Sequence, residues 1–156
     1  RLDFWKYIEK YPIKVALDAN KHYLQDWLKY SDTWLPLWFF CDMGVKLPFV
    51  ENSFDVVIGT DFLEHFQENT VIFIIKEAEL LAKKYVIWFT PRGFLDTEIY
   101  QSEYVATSLD KHKIGFEPEF FIERGYKVEV IKNMHNFGNV HFDAIWAWRD
   151  VLEGNK

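Results

Sequence analysis

Short apolar runs alternate along the chain with segments in which apolar residues recur at helical spacing. The runs predict buried strands at 13–17, 37–41, 55–60 and 85–90 (IKVAL, LWFFC, DVVIGT and YVIWFT). The helical spacing predicts helices over 2–10, 22–30, 68–83 and 117–125. Such an alternation favours a layered α/β structure with a largely parallel sheet.

The C-terminal part of the chain has a different pattern. Two further strand-like runs, YKVEVIK at 126–132 and HFDAIWAWR at 141–149, are joined by a short turn and predict an antiparallel hairpin. We therefore predict one α/β domain over residues 1–156, a three-layer Rossmann-like sheet that is mostly parallel and ends in an antiparallel hairpin strand.

Composition narrows the function classes. The chain has 156 residues, 49% of them hydrophobic, and a formal net charge of -6, so a packed core is expected and a nucleic-acid partner is not. The longest apolar runs, VIFII and VIWF, are far shorter than the ~20 residues that span a bilayer. Cys41 is the only cysteine, which excludes an internal disulfide and fits a cytoplasmic location.

An aspartate ends each of three predicted strands: Asp18, Asp42 and Asp61. The carboxyl ends of parallel strands line one crevice, where a ligand rich in hydroxyls and amines would offset three carboxylates. One such acid can accept hydrogen bonds from both hydroxyls of a ribose, and the next can accept one from an exocyclic amine. The alternative for each of them is a structural role as a turn or capping residue.

The segment LPFVENSFDVVIGTDFLEHF, at 47–66, resembles the class I S-adenosylmethionine-dependent methyltransferases, most closely the ubiquinone/menaquinone-type branch. The segments KVALDAN, FFCDMG, YVIWFTPRG and HKIGFEPEFFIERGYKVEV resemble the same family in the same order. The resemblance covers nearly the whole chain. It implies an enzyme that transfers a methyl group from S-adenosylmethionine to a small-molecule or protein acceptor.

The resemblance also implies which residues bind the cofactor: Asp18, Ala19, Asp42, Met43, Thr60 and Asp61. Asp18 would bind the ribose hydroxyls and Asp42 the adenine amine, with the Met43 backbone beside the ring. Thr60 and Asp61 would flank the methionine part. The family's first strand and glycine-rich loop have no counterpart in the sequence, and by register they belong upstream of Arg1. We therefore expect the domain to be incomplete at its N-terminus.

No catalytic residue is assigned from the sequence, and no metal site is predicted. His65 is either a general base or a histidine that packs against the sheet, with Glu64 interpreted as structural. His112 lies in an irregular segment that would cover the substrate. His135 and His141 are six residues apart across the hairpin turn, without an acidic ligand at metal-binding spacing.

Two other interpretations stay open. An NAD-dependent oxidoreductase also places an acid after an early strand to bind a ribose. A non-catalytic member of the methyltransferase fold, acting as a scaffold, would keep the sheet and not bind the cofactor. Neither the methyl acceptor nor the oligomeric state follows from the sequence.

Overall fold

A computed structural model describes residues 13–18, 37–40, 46–96, 111–137 and 140–152. The chain divides into two units, Arg1–Val45 and Lys46–Lys156. No helix within the described ranges is both long enough and apolar enough to cross a membrane.

The first unit contains two short parallel strands. β1 (Val15–Asp18) pairs with β2 (Leu37–Phe40) in a register that places Asp18 opposite Phe40. Both strands were predicted from their apolar runs. The helices predicted over 2–10 and 22–30 lie outside the described residues, as does Cys41.

The second unit is built on a mixed four-stranded sheet in the order β3-β4-β6-β5. Its strands are β3 (Phe54–Thr60), β4 (Ala82–Pro91), β5 (Lys127–Phe137) and β6 (Val140–Asp150). β3 and β4 are parallel, whereas β6 pairs antiparallel with both β4 and β5. The predicted α/β fold with an antiparallel C-terminal hairpin is confirmed.

Helix α1 (Glu68–Leu81) connects β3 to β4 and packs one apolar face on the sheet. Its buried residues recur at helical spacing: Val71, Ile74, Ile75, Ala78 and Leu81. The predicted end of this helix at Lys83 is two residues too late. Ala82 is fully buried and pairs with Phe54 of β3, so it already belongs to the sheet. This strand pairing outweighs the helix propensity of the lysines that follow it.

A second helix, α2 (Pro118–Ile122), precedes the hairpin and contributes Phe121, which is fully buried. The hairpin is joined to α1 through Glu79. The Tyr126 hydroxyl donates a hydrogen bond to Glu79 Oε1 at 2.9 Å, and Arg149 Nη1 approaches the same oxygen at 2.9 Å. Glu79 therefore connects residues that are far apart in the sequence.

Replacing Glu79 with alanine is expected to lower the free energy of unfolding by about 2 kcal/mol, because the buried Tyr126 hydroxyl and the half-buried Arg149 lose their shared acceptor. Urea denaturation measures the change. Lys76→Ala, at an exposed position of the same helix, is the control and should change stability by less than about 0.5 kcal/mol. Equal effects of the two variants would contradict a structural role for Glu79.

Candidate functional site

The chain turns sharply where β3 ends. Asp61, directly after Thr60, has a φ of +46°, in the left-handed region that non-glycine residues seldom adopt. Its amide donates a hydrogen bond to the Phe89 carbonyl at 2.8 Å, which extends the pairing of β3 with β4 by one residue. Thr60 and Asp61 are both exposed at this carboxyl end of the strand. Ligand sites of open α/β sheets occupy this position.

A 3-10 turn at Leu63–His65 follows and carries Glu64 into the interior. Only 2% of the Glu64 surface is exposed. The Thr90 hydroxyl of β4 donates a hydrogen bond to Glu64 Oε2 at 2.9 Å, whereas the second oxygen, Oε1, has no hydrogen-bond partner among the described residues. A buried carboxyl oxygen without a partner is uncommon in folded proteins, because its desolvation is not compensated.

The segment that contains His112 is attached to the same turn. The backbone amide of Lys113 donates a hydrogen bond to the Glu64 carbonyl at 2.7 Å. The His112 ring lies against the His65 ring, with 4.9 Å between the ring centroids. The two histidines are far apart in the sequence, so these backbone contacts are what bring them together.

Glu64, His65 and His112 form one cluster of potential metal ligands. Each offers one ligand atom, and the three atoms lie within 4.8 Å of one another. The set comprises one carboxylate oxygen and two imidazole nitrogens. The Leu95 backbone carbonyl lies beside the His112 ring and raises the pKa of His112, against the effect of burial.

His135 of β5 reaches the same end of β3. Its Nε2 lies 3.6 Å from Asp61 Oδ1, and its ring packs on Phe89 with 5.6 Å between the ring centroids. The pairing of β5 with β6 is irregular between Ile131 and His135, which changes the direction of the strand before His135. His141 does not join this group, since its ring contacts Asn136 within the hairpin.

Burial dominates the electrostatics of the cluster. It raises the pKa of Glu64 to about 8, and the charge of Asp61 acts in the same direction. The backbone amides of Glu64 and Phe62 and the Thr90 hydroxyl oppose it. Burial lowers the pKa of His112 to about 4, and the positive charges of His65 and His135 lower it further. The carboxylate of Asp61 is about half exposed, and partial desolvation by its neighbours raises its pKa, although His135 and His65 both oppose this.

No protein-family profile and no curated protein matches the sequence. Solved structures do match. An S-adenosylmethionine-dependent methyltransferase from Archaeoglobus fulgidus has a TM-score of 0.62 and 14% identity, over 94% of this chain and 81% of that one. A protein from Bacillus halodurans that is designated a methyltransferase has a TM-score of 0.61 and 12% identity, over 88% of this chain and 82% of that one. The chain shares the α/β fold of these two proteins.

A third match carries another name. A Rhodobacter sphaeroides protein designated a zinc-dependent alcohol dehydrogenase has a TM-score of 0.66 and 9% identity, over 94% of this chain and 78% of that one. Identities this low establish a shared fold and do not transfer an activity.

The six residues predicted to bind the cofactor divide into two groups. Asp18 is the last residue of β1, and Thr60 and Asp61 lie at the end of β3, so all three occupy the strand ends where the sequence predicted them. Ala19, Asp42 and Met43 lie outside the described residues. The roles of all six residues in binding the cofactor stay predictions.

Sequence reasoning interpreted Glu64 as structural and did not group His65 with His112. An acid followed by a histidine just after a strand end was the available signal. It does not reveal that Glu64 is buried or that His112 returns to it, because both depend on hydrogen bonds between distant segments. The contact of His135 with Asp61 had no signal in the sequence.

Proposed function

We propose that the chain transfers a methyl group from S-adenosylmethionine to a small-molecule or protein acceptor. The observation that carries the proposal is the polar cluster after β3, where the exposed Asp61 is followed by the buried Glu64 and the His65 ring in a methyltransferase fold. Ligands of open α/β sheets bind at such strand ends.

Residues within each unit, taken separately, suit a part of the cofactor. Asp18, at the end of a parallel strand, can accept hydrogen bonds from both ribose hydroxyls, with Ala19 adjacent. Asp42 and the Met43 backbone would bind the adenine. The exposed carboxylate of Asp61, beside Thr60, suits the positively charged methionine portion. When bound, S-adenosylmethionine supplies an electrophilic methyl group on a sulfonium.

The protein's own contribution is to hold the acceptor in line with that methyl group. Proximity and orientation account for a large part of such rate enhancements. His65, His112 and His135 surround the same strand end and are the side chains available to orient an acceptor.

Calorimetric titration of the purified chain with S-adenosylhomocysteine tests the proposal. Asp18→Ala is expected to weaken binding by about 10- to 100-fold, because it removes hydrogen bonds to a charged acceptor. Asp55→Ala is the matched control. Asp55 lies near the opposite end of β3 in an exposed ion pair with Lys84, at 3.0 Å, so its removal should leave the affinity unchanged.

The same titration with NAD separates the alternatives. Binding of NAD without binding of S-adenosylhomocysteine would overturn the proposal in favour of an oxidoreductase. No heat with either ligand would overturn it in favour of a non-catalytic scaffold. If Asp18→Ala bound as tightly as the wild type, the ribose assignment would be wrong.

A further inference from the structure

We propose that Glu64, His65 and His112 bind a divalent metal ion of the zinc, cobalt or manganese type. The site goes beyond methyl transfer, since metal binding requires neither the cofactor nor the acceptor. Two imidazoles with one carboxylate favour such ions over magnesium and calcium, which prefer all-oxygen sites.

The spacing of the ligand atoms supports the proposal. Around a tetrahedral zinc ion, ligand atoms about 2.1 Å from the metal lie about 3.4 Å from one another. The three atoms in this cluster are already within 4.8 Å of one another, on side chains that the backbone holds together. Small rotations of these side chains are enough to close the site around one ion.

The buried oxygen of Glu64 is an independent observation that points to a ligand. Glu64 is 98% buried, and its Oε1 has no hydrogen bond of good geometry among the described residues, although the backbone amides of Glu64 and Phe62 lie near enough to favour the charged carboxylate. A bound cation would compensate for the desolvation of this oxygen. The other oxygen, Oε2, accepts a hydrogen bond from the Thr90 hydroxyl at 2.9 Å, which orients the carboxyl group. Oε1 is then available to bind a metal ion.

Contacts around the cluster hold its ligand residues in position, as they do in other protein metal sites. Ligating histidines usually donate their second ring nitrogen to a carbonyl or carboxylate, and the Leu95 backbone carbonyl lies beside the His112 ring. The backbone connects the ligands as well. The amides of Lys113 and Ile114 both approach the Glu64 carbonyl, at 2.7 Å and 3.4 Å. Such support fixes ligand positions before a metal binds.

Three protein ligands leave a coordination position for an acceptor oxygen. This step rests on the proposed function. A hydroxyl bound to the metal loses its proton to solvent more readily, and the resulting oxygen attacks the sulfonium methyl group. A C–O bond forms, the C–S bond breaks, and S-adenosylhomocysteine leaves with the electron pair. The site therefore favours a hydroxyl acceptor.

Metal titration of the chelator-treated chain tests the site without any cofactor. We expect one equivalent of Zn²⁺ to bind by calorimetry, and Co²⁺ to give the intense visible absorption of a four-coordinate centre. His112→Asn and Glu64→Gln should each weaken Zn²⁺ binding by at least about 100-fold. The control is His141→Asn, at an exposed hairpin position that contacts Asn136, and it should bind like the wild type.

Circular dichroism of each variant establishes that it is folded, and His65→Asn provides a further ligand variant if either of the others unfolds. No Zn²⁺ binding by the wild type, or binding that these variants leave unchanged, would overturn the site. Equal affinities for Mg²⁺ and Zn²⁺ would overturn the choice of metal. Failure to bind S-adenosylhomocysteine would overturn the proposed function alone, because the metal titrations contain none.

Acetohydroxamic acid, a small oxygen ligand, tests the open position. We expect it to shift the visible bands of the Co²⁺ protein. Unchanged bands would show a closed, structural site and overturn the inference of a hydroxyl acceptor.

Discussion

Replacing Gly115 with alanine is expected to lower the free energy of unfolding by about 3 kcal/mol and to separate His112 from Glu64. An added Cβ would lie 2.3 Å from the Phe94 nitrogen and 2.5 Å from the Gly93 carbonyl carbon. Both are backbone atoms and not the ends of flexible side chains. The two segments therefore have to move apart to make room for the methyl group.

The movement would reach the candidate site because the same segment is attached to it. The Gly93 amide donates a hydrogen bond to the Phe116 carbonyl at 2.7 Å, and the Lys113 amide donates one to the Glu64 carbonyl at 2.7 Å. Displacing Gly115 disturbs both hydrogen bonds. His112, which precedes Lys113, then loses its position beside His65.

Urea denaturation measures the loss of stability, and Zn²⁺ titration measures the effect on the cluster. Lys113→Ala is the control, since its side chain is exposed and the substitution keeps the backbone amide, and it should change stability by no more than about 0.5 kcal/mol. If Gly115→Ala were as stable as Lys113→Ala, the close approach of the two segments would not be required.

The sequence predicts the strands of this protein more accurately than the C-terminal end of helix α1. The strands β3, β4 and β6 are apolar runs or alternate in polarity, and each was located to within a few residues. The end of α1 was not, because Ala82 becomes a strand residue through its pairing with Phe54. Such pairing joins distant segments, so a short stretch of sequence does not reveal it.

The candidate site follows the same division. The position of Thr60 and Asp61 at a strand end could be predicted, because a buried strand with a polar end is a local pattern. The cluster of Glu64, His65 and His112 could not, because it depends on a backbone hydrogen bond from Lys113 to Glu64 and on the close approach at Gly115. The chemistry of the cluster is therefore set by tertiary contacts rather than by a motif.

The metal-free wild type is expected to lose stability as the pH rises from about 6.5 to 8, and Glu64→Gln is expected to abolish this loss. The pKa of Glu64 is about 8 in the folded chain, above its ordinary value of 4.5. Between these two values the folded state binds more protons than the unfolded state, so the free energy of unfolding falls as the pH rises. Above pH 8 the fold has to bury a charge, at a cost on the order of a few kcal/mol.

His112 determines which part of the pH range reveals this effect. Its pKa is about 4 in the folded chain, below its ordinary value of 6.5. Between those values the unfolded state binds more protons, so His112 makes the free energy of unfolding rise with pH. It therefore opposes Glu64 from about pH 4.5 to pH 6.5. Above pH 6.5 the contribution of His112 is complete, and that of Glu64 continues to fall.

Urea denaturation at pH 6.5, 7, 7.5 and 8, in the presence of a chelator, measures the slope. The wild type should lose stability over this range, whereas Glu64→Gln should stay nearly constant, because glutamine can accept the Thr90 hydrogen bond and does not ionise. His112→Asn should retain the loss of stability above pH 6.5, since Glu64 is unchanged. Its stability should also fall as the pH rises from about 4.5 to 6.5, because His112 no longer opposes Glu64 there. Parallel slopes for the wild type and Glu64→Gln would show that Glu64 does not ionise in this range, and the raised pKa would then be wrong.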